Sequence, residues 1–287
     1  MANLKELRTR IGSIKSTMQI TSAMKMVSAA KLKRAQDAIT QMRPYADKLK
    51  ELLENLSASI EQDESGGFSE LRDVKKVLLV NIASNRGLCG GFNMNVVKRV
   101  NKLKATTYKD VQVDLLTIGK KMTDFGSRSD YQVFGSEIKI FDGLNFDKSS
   151  VIAEKVMTAF LEGEYDRVEL VYNHFINAAT QEVLVEQFLP VQTIETEENT
   201  SQTEYAFEPS QEVIVKDLIP KSLKIQFYKA LLDSHASEHG ARMTSMHQAT
   251  DNAADLNADL TLQYNRQRQA AITNEILEIV GGAEALA

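Results

Sequence analysis

Counted in steps of three and four from Leu4, one stripe of the chain carries Leu7, Ile11, Ile14, Met18, Thr21, Lys25, Ser28, Leu32, Ala35, Ile39, Met42, Ala46, Leu49, Leu53, Leu56 and Ile60, and 14 of these 17 positions are apolar. A repeat of about 3.5 residues sustained over that distance keeps a narrow seam on one side of a helix, which is what a coiled-coil partner requires. It predicts a helix over residues 1–60, roughly 85 Å long at about 1.5 Å per residue. Pro44 sits inside it and is expected to bend the helix or remove one hydrogen bond. The seam lapses at Thr21, Lys25 and Ser28, while Ile20, Met24 and Val27 carry apolar side chains off the stripe. In so regular a repeat this reads as a patch turned outward toward a second protein, with a stutter in the coil as the plainer alternative.

The other end has the same character. From Pro220, placed as a first helical residue, there is no further proline, and Met243, Met246, Ala249, Ala253, Leu256 and Leu260 recur at three and four. Within the C-terminal segment 220–287 this predicts a second helix that runs to Gly281-Gly282, about 60 residues and near 90 Å. Between the helices, Val77–Ile82, Val111–Ile118, Val168–Tyr172 and Val183–Phe188 are short β-branched runs, alternating with helical stretches at Asn93–Lys104, Lys120–Ser127 and Lys148–Glu162. Such alternation implies a largely parallel, Rossmann-like α/β domain over residues 74–190, followed by an acidic linker over 191–219. The predicted fold class is therefore α/β, with a long antiparallel two-helix coiled coil formed by the terminal helices. The C-terminal helix should outreach its partner by roughly 15 Å. That leaves the face made by Ile272, Ile276, Leu277, Ile279 and Val280 with no partner in the chain, so another protein is expected around it.

Composition narrows the class. With 43% hydrophobic residues the chain is globular or rod-like, and no window approaches a membrane span. The charged start, MANLKELRTRIGSIK, is not a signal core, so a cytoplasmic location is expected. A single cysteine, Cys89, excludes an internal disulfide and any multi-cysteine metal site. The net charge of −5 is uneven: residues 1–50 hold 11 Lys/Arg, whereas Glu195, Glu197, Glu198, Glu204, Glu208 and Glu212 crowd the linker. The basic end suggests an acidic partner. Nucleic acid is disfavoured, because no aromatic side chain lies among residues 1–44 to stack on a base.

Residues 84–93 read SNRGLCGGFN, a glycine-rich turn between the first strand and a helix. A phosphate loop needs a Gly-Lys-Ser/Thr ending, yet Gly90-Gly91 leads into Phe92-Asn93, and the glycines at 87, 90 and 91 do not fit GxGxxG. A tight turn with glycines at positive φ and an exposed contact loop led by Arg86 compete with a nucleotide site. His235 and His239 have the i, i+4 spacing of a zinc pair, but there is no HExxH order and no third ligand. In TLQYNRQRQAAITNE, the polar groups Arg266, Arg268, Gln269, Thr273 and Glu275 crowd the helix below the apolar tip. A solvated face is their usual fate, but this position suits hydrogen bonds to an enclosing subunit.

Four segments in order, ITSAMKMVSAAKLKRAQ, NRGLCGGFN, ASEHGARMTSMHQATDNA and ITNEILEIVGGAEA, resemble the gamma-subunit family of F-type ATP synthases. The resemblance runs from end to end. It implies a central-stalk rotor without a catalytic site or cofactor of its own, coupling proton flow to conformational cycling of catalytic beta subunits. Its implied partners are the alpha and beta subunits, epsilon, the membrane c-ring and, indirectly, delta. Its implied location is peripheral, on the cytoplasmic face of the bacterial plasma membrane. By the same resemblance Met24 and Lys25 lie near a beta lever loop, and Arg86 and Cys89 belong to a loop facing the ring. Arg242, Arg268, Gln269, Thr273, Glu275 and Glu278 belong to a coupling surface. The apolar tip enters a hydrophobic sleeve, and Tyr205 and Phe207 meet the c-ring. Photosynthetic relatives carry an inserted cysteine pair that is missing here, so a thiol switch is not expected. Two other classes stand beside the rotor: a nucleotide-binding α/β enzyme with helical arms, and a coiled-coil adaptor with no rotary role.

Overall fold

The computed structural model describes residues 4–57, 67–191 and 211–284. In chain order the elements are α1 (Leu4–Ser57), β1 (Lys76–Ile82), α2 (Phe92–Thr106), β2 (Gln112–Ile118), α3 (Lys120–Gly126), β3 (Gln132–Glu137), a short 3-10 helix (Lys139–Phe141), α4 (Phe146–Leu161), β4 (Arg167–Phe175), β5 (Gln181–Leu189) and α5 (Gln211–Glu284). They fall into two compact units, one of Met1–Ser28 with Met243–Ala287 and one of Ala29–Arg242.

The second unit is built on a five-stranded sheet in the order β3-β2-β1-β4-β5. Strands β1 to β4 run parallel and β5 pairs antiparallel with β4. Strands β1 and β2 are buried along nearly their whole length, which is why they read as unbroken apolar runs. Helix α4, through Val156 and Phe160, and helix α5, through Leu223, Phe227 and Leu231, share one core with the sheet. Helix α2, through Val96 and Val100, and Met122 of α3 share the other. The β4–β5 hairpin turns at Asn177, whose side-chain oxygen accepts from the amides of Ala179 (2.9 Å) and Thr180 (2.8 Å).

Three features depart from the sequence pattern. Strand β3 was not foreseen: QVFGSE is a half-exposed edge strand without the apolar run that marked its neighbours. Helix α5 begins at Gln211, and Pro220 lies inside it instead of opening it. A proline in a helix interior costs about 3 kcal/mol, and the burial of Ile219, Leu223, Ile225 and Phe227 around it offsets that loss. Leu256, placed on the C-terminal stripe, is 50% exposed. The stripe passes through Asn257 instead, whose Oδ1 is buried without a hydrogen-bond partner among the described residues.

In the first unit α1 and α5 form the antiparallel two-helix pair, with Leu7, Thr21, Ser28, Met246 and Leu260 buried. Thr250 Oγ1 lies 2.8 Å from Thr21 Oγ1, so the seam's polar interruption is a hydroxyl rung that fixes register. In the second unit the α1 stripe continues through buried Leu32, Ala35 and Ile39, and Ile39, Met42 and Ala46 line a small hollow with Lys229 and Leu232 of α5.

Phe160 is fully buried between α4 and the sheet. Phe160→Ala is expected to destabilise the chain by about 3–5 kcal/mol, read as a lowered denaturation midpoint with the slope of the transition unchanged.

Candidate functional site

The glycine turn is held from beneath by side chains at its own two ends. The Ser84 amide donates to Asn93 Oδ1 at 3.0 Å, and the Ser84 hydroxyl donates to the Arg86 carbonyl. Asn93 Nδ2 donates to Cys89 Sγ at 3.2 Å. Asn85 ties the outer side, donating to the Ile138 carbonyl and accepting from the Lys120 amide, each at 2.9 Å. Of the three glycines only Gly90 has a positive φ, 58°, and the other left-handed residue is Leu88 at 61°. A branched residue there costs of order 1 kcal/mol, and Leu88 stands 64% exposed.

Arg242 of α5 reaches into this turn. Its Nη2 donates to the Arg86 carbonyl at 3.1 Å and its Nε to the Gly87 carbonyl at 3.3 Å. Nη1 pairs with Glu238 at 2.7 Å and lies 3.3 Å from His239 Nδ1. A guanidinium only donates, so His239 Nδ1 accepts, and the His239 proton sits on Nε2, 3.1 Å from His235 Nε2. The i, i+4 histidine spacing thus serves a hydrogen bond between the two rings, and His235 also stacks on Phe141. Burial first, then the charges of Lys31 and Arg242, pushes His235 down to about 4. Burial, the neighbouring His235 and the same two cations push His239 down to about 3. Burial pushes the Glu238 carboxyl up against the pull of Arg242, Lys31 and Arg86, and burial raises the Cys89 thiol. The inner side of the turn therefore presents carbonyls to a cation, whereas a phosphate cradle needs converging amides.

The residues expected to meet a partner divide by burial. In the two-helix unit Ile20 (60%) and Val27 (57%) point outward, while Met24 and Lys25 are half-buried. Arg266, Arg268, Gln269, Thr273, Glu275 and Glu278 are exposed, as are Ile272, Ile276, Leu277, Ile279 and Val280. In the α/β unit Arg86 is exposed, but Cys89 (2%) and Arg242 (7%) are buried. These two therefore offer little side-chain surface and instead shape the turn. Tyr205 and Phe207 lie outside the described residues. The spacing of residues did not single out Ser84, Asn93 or Glu238, although all three stand inside the quoted segments.

A sequence model of the ATP synthase family matches residues 3–286. The chain is 61% identical to the ATP synthase gamma chain of Flavobacterium johnsoniae, over 100% of this chain and 99% of that one. It belongs to the ATP synthase gamma-chain family. The gamma chain of Christiangramia forsetii is 58% identical over the same coverage. Among solved structures, the Tetrahymena thermophila mitochondrial ATP synthase central stalk and c-ring contains a chain matching at TM-score 0.62 and 30% identity, over 80% of this chain and 99% of that one. A chain of the Euglena gracilis mitochondrial ATP synthase matches at TM-score 0.73 and 21% identity, over 99% and 94%, which bears on the fold alone.

Two outcomes are expected for this gamma chain. Leu88→Gly removes a strained αL side chain that buries little, so it should leave stability unchanged or raise it by up to about 1 kcal/mol; a lowered thermal midpoint would count against the strain. The histidine pair sets an acid limit. Its folded pKa values lie below the ordinary value of about 6.5, so the unfolded chain binds more protons as pH falls. The stability contribution is complete above about 6.5 and is lost progressively toward pH 4 and below. The raised Glu238 carboxyl acts in the opposite sense. A His235→Gln, His239→Gln variant should therefore show a flatter decline in denaturation free energy between pH 6.5 and 4 than the native chain.

Proposed function

We propose that this gamma chain is the central-stalk rotor of a proton-translocating F-type ATP synthase, without a catalytic site of its own, that couples c-ring rotation to conformational cycling of the catalytic beta subunits. Membership of the gamma-chain family over the full chain carries the proposal. The exposed apolar faces support it, because Ile272, Ile276, Leu277, Ile279 and Val280 cover a helix end that water alone would disfavour. In the assembly these five residues enter an apolar sleeve formed by the alpha and beta subunits. Met24 and Lys25, with the outward Ile20 and Val27, meet a beta lever. Arg268, Gln269, Thr273, Glu275 and Glu278 form hydrogen bonds to the ring, and Arg86 offers a charge from the glycine turn. Cys89 and Arg242 act from within by fixing that turn. Epsilon, the c-ring and, indirectly, delta complete the partners, with Tyr205 and Phe207 at the c-ring. Attachment, at the cytoplasmic face of the bacterial plasma membrane, is peripheral and made through the complex; no helix among the described residues is long and apolar enough to cross a membrane.

Native mass spectrometry of the chain co-expressed with alpha and beta subunits tests this directly: one copy is expected per three alpha and three beta chains. Several copies per assembly, or a chain that stays free, would remove the rotor. Within that experiment an Ile276→Asp, Ile279→Asp variant should fold as stably as the native chain, within about 0.5 kcal/mol, because both positions face solvent. Its yield of complex should fall several-fold.

A further inference from the structure

The strand order places the sheet's topological switch between β1 and β4. In doubly wound sheets a ligand binds in the crevice outside the carboxyl ends of the strands at that point. Here the turns after both strands close on one short stretch of α5. On the β4 side the Ser237 hydroxyl donates to the Asn173 carbonyl at 3.0 Å, and Asp233 lies 2.9 Å from His174 Nδ1. A Cβ on Gly240 would stand 3.2 Å from the Ala178 carbonyl oxygen and 3.3 Å from its Cα, so glycine permits the close approach of helix and turn. On the β1 side Arg242 donates to the Arg86 and Gly87 carbonyls, and Ala241 packs with Cys89 and Phe92. Asn173 Nδ2 donates to the Phe92 carbonyl at 3.3 Å and joins the two sides. Arg242 is also the last α5 residue of the α/β unit.

We propose that the ligand crevice of this sheet is a socket for the chain's own helix, with Arg242 as the latch that fixes the rotation of α5 about its axis where it leaves the α/β unit. Apolar contacts alone are non-directional and let a helix roll in its groove. A guanidinium fork divided between two carbonyls of one turn is directional and charge-assisted. Glu238, one helical turn back, neutralises it, and His239 takes a further donor, so the Arg242 side chain has little freedom to swing away. Arg242 is thus a positioning residue acting inside the chain. The consequence for coupling rests on the rotor reading: a shaft that rolls in its seat delivers less of its rotation to the unit holding it.

Arg242→Gln and Gly240→Ala attack opposite sides of the socket. Hydrogen exchange on the full chain should accelerate about tenfold at residues 84–91 and 236–242 in both variants, with β1 and β2 unchanged. In the assembled ATP synthase, protons pumped per ATP hydrolysed should fall at least threefold. Arg242→Lys keeps a charge beside Glu238 but lacks the fork, so it should assemble in native amount with that ratio still lowered; it also carries the test if Arg242→Gln fails to fold. Unchanged exchange in the Arg242 variants overturns the socket. A native pumping ratio in complexes that do assemble overturns the latch and leaves Arg242 a purely structural residue. If the native chain joins no alpha and beta complex, the rotor reading fails, while the exchange measurement still decides the socket.

Discussion

A helix of 54 residues with a long, largely apolar stripe is not stable alone in water, and that constraint organises α1 and α5. Burial follows the stripe of α1 even where its chemistry changes: Thr21 and Ser28 are buried, although neither is apolar. Seam geometry therefore outranks side-chain type at these positions. Once the threonine rung holds the register, Ile20 and Val27 have nowhere to point but outward. The exposed patch is a consequence of a seam kept in phase, with no break in the coil needed to produce it. Ile276, Leu277 and Ile279 of α5 are exposed as well.

The sheet meets a different demand, since carboxylates sit among its buried side chains and each needs a donor. Asp114 accepts from Tyr165 at 3.0 Å and pairs with Lys76 at 3.2 Å. Glu186 takes Tyr172 at 2.8 Å and Gln226 of α5 at 2.8 Å, and Glu169 takes Tyr108. Burial and then Glu169 push the Tyr108 phenol up to about 12, and burial and the nearby acids push Tyr165 and Tyr172 higher still. Each phenol thus stays a donor at neutral pH. Because Gln226 shares the Glu186 carboxylate, this satisfaction also ties α5 to β5 before it reaches the crevice. Directional bonds fix the helix at Gln226, Ser237 and Arg242, while Phe227 and Leu231 supply the non-directional burial between.

Periodicity made the long helices legible in the sequence, two-sided burial made β1, β2 and β4 legible as apolar runs, and the Val-Leu-Val run marked β5 although that edge strand is mostly half-buried. Strand β3, at the other edge, was hidden because QVFGSE has no apolar run and stays exposed or half-exposed along its length. The start of α5 was hidden because Pro220 suits a first helical position, and tertiary burial overrode that preference. Leu256 was misplaced because Asn257 occupies a seam position that hydrophobicity does not mark. At the candidate site the glycine turn and the Arg242 segment were both visible, but their contact was not, since residues 86 and 242 are joined only by the crossover of the sheet. Two histidines at i, i+4 look alike whether they bind a metal or each other, and only the Arg242 donor on His239 Nδ1 separates those cases here.

Strand, glycine turn and helix are the opening of a nucleotide-binding unit, and the strand order is that of a sheet with a ligand crevice. Fold alone would therefore have argued for a nucleotide site. Two side chains reverse it. Asn93, just past the point where a phosphate loop carries its lysine, turns inward to hold Ser84 and Cys89. Arg242 then brings a fixed cation to the carbonyls of the turn. An anion needs free amides and an open approach, but here the acceptors face inward and α5 fills the approach. Helix seat and nucleotide site are alternatives for one crevice, and a chain whose C-terminal helix must be held has committed it to the helix.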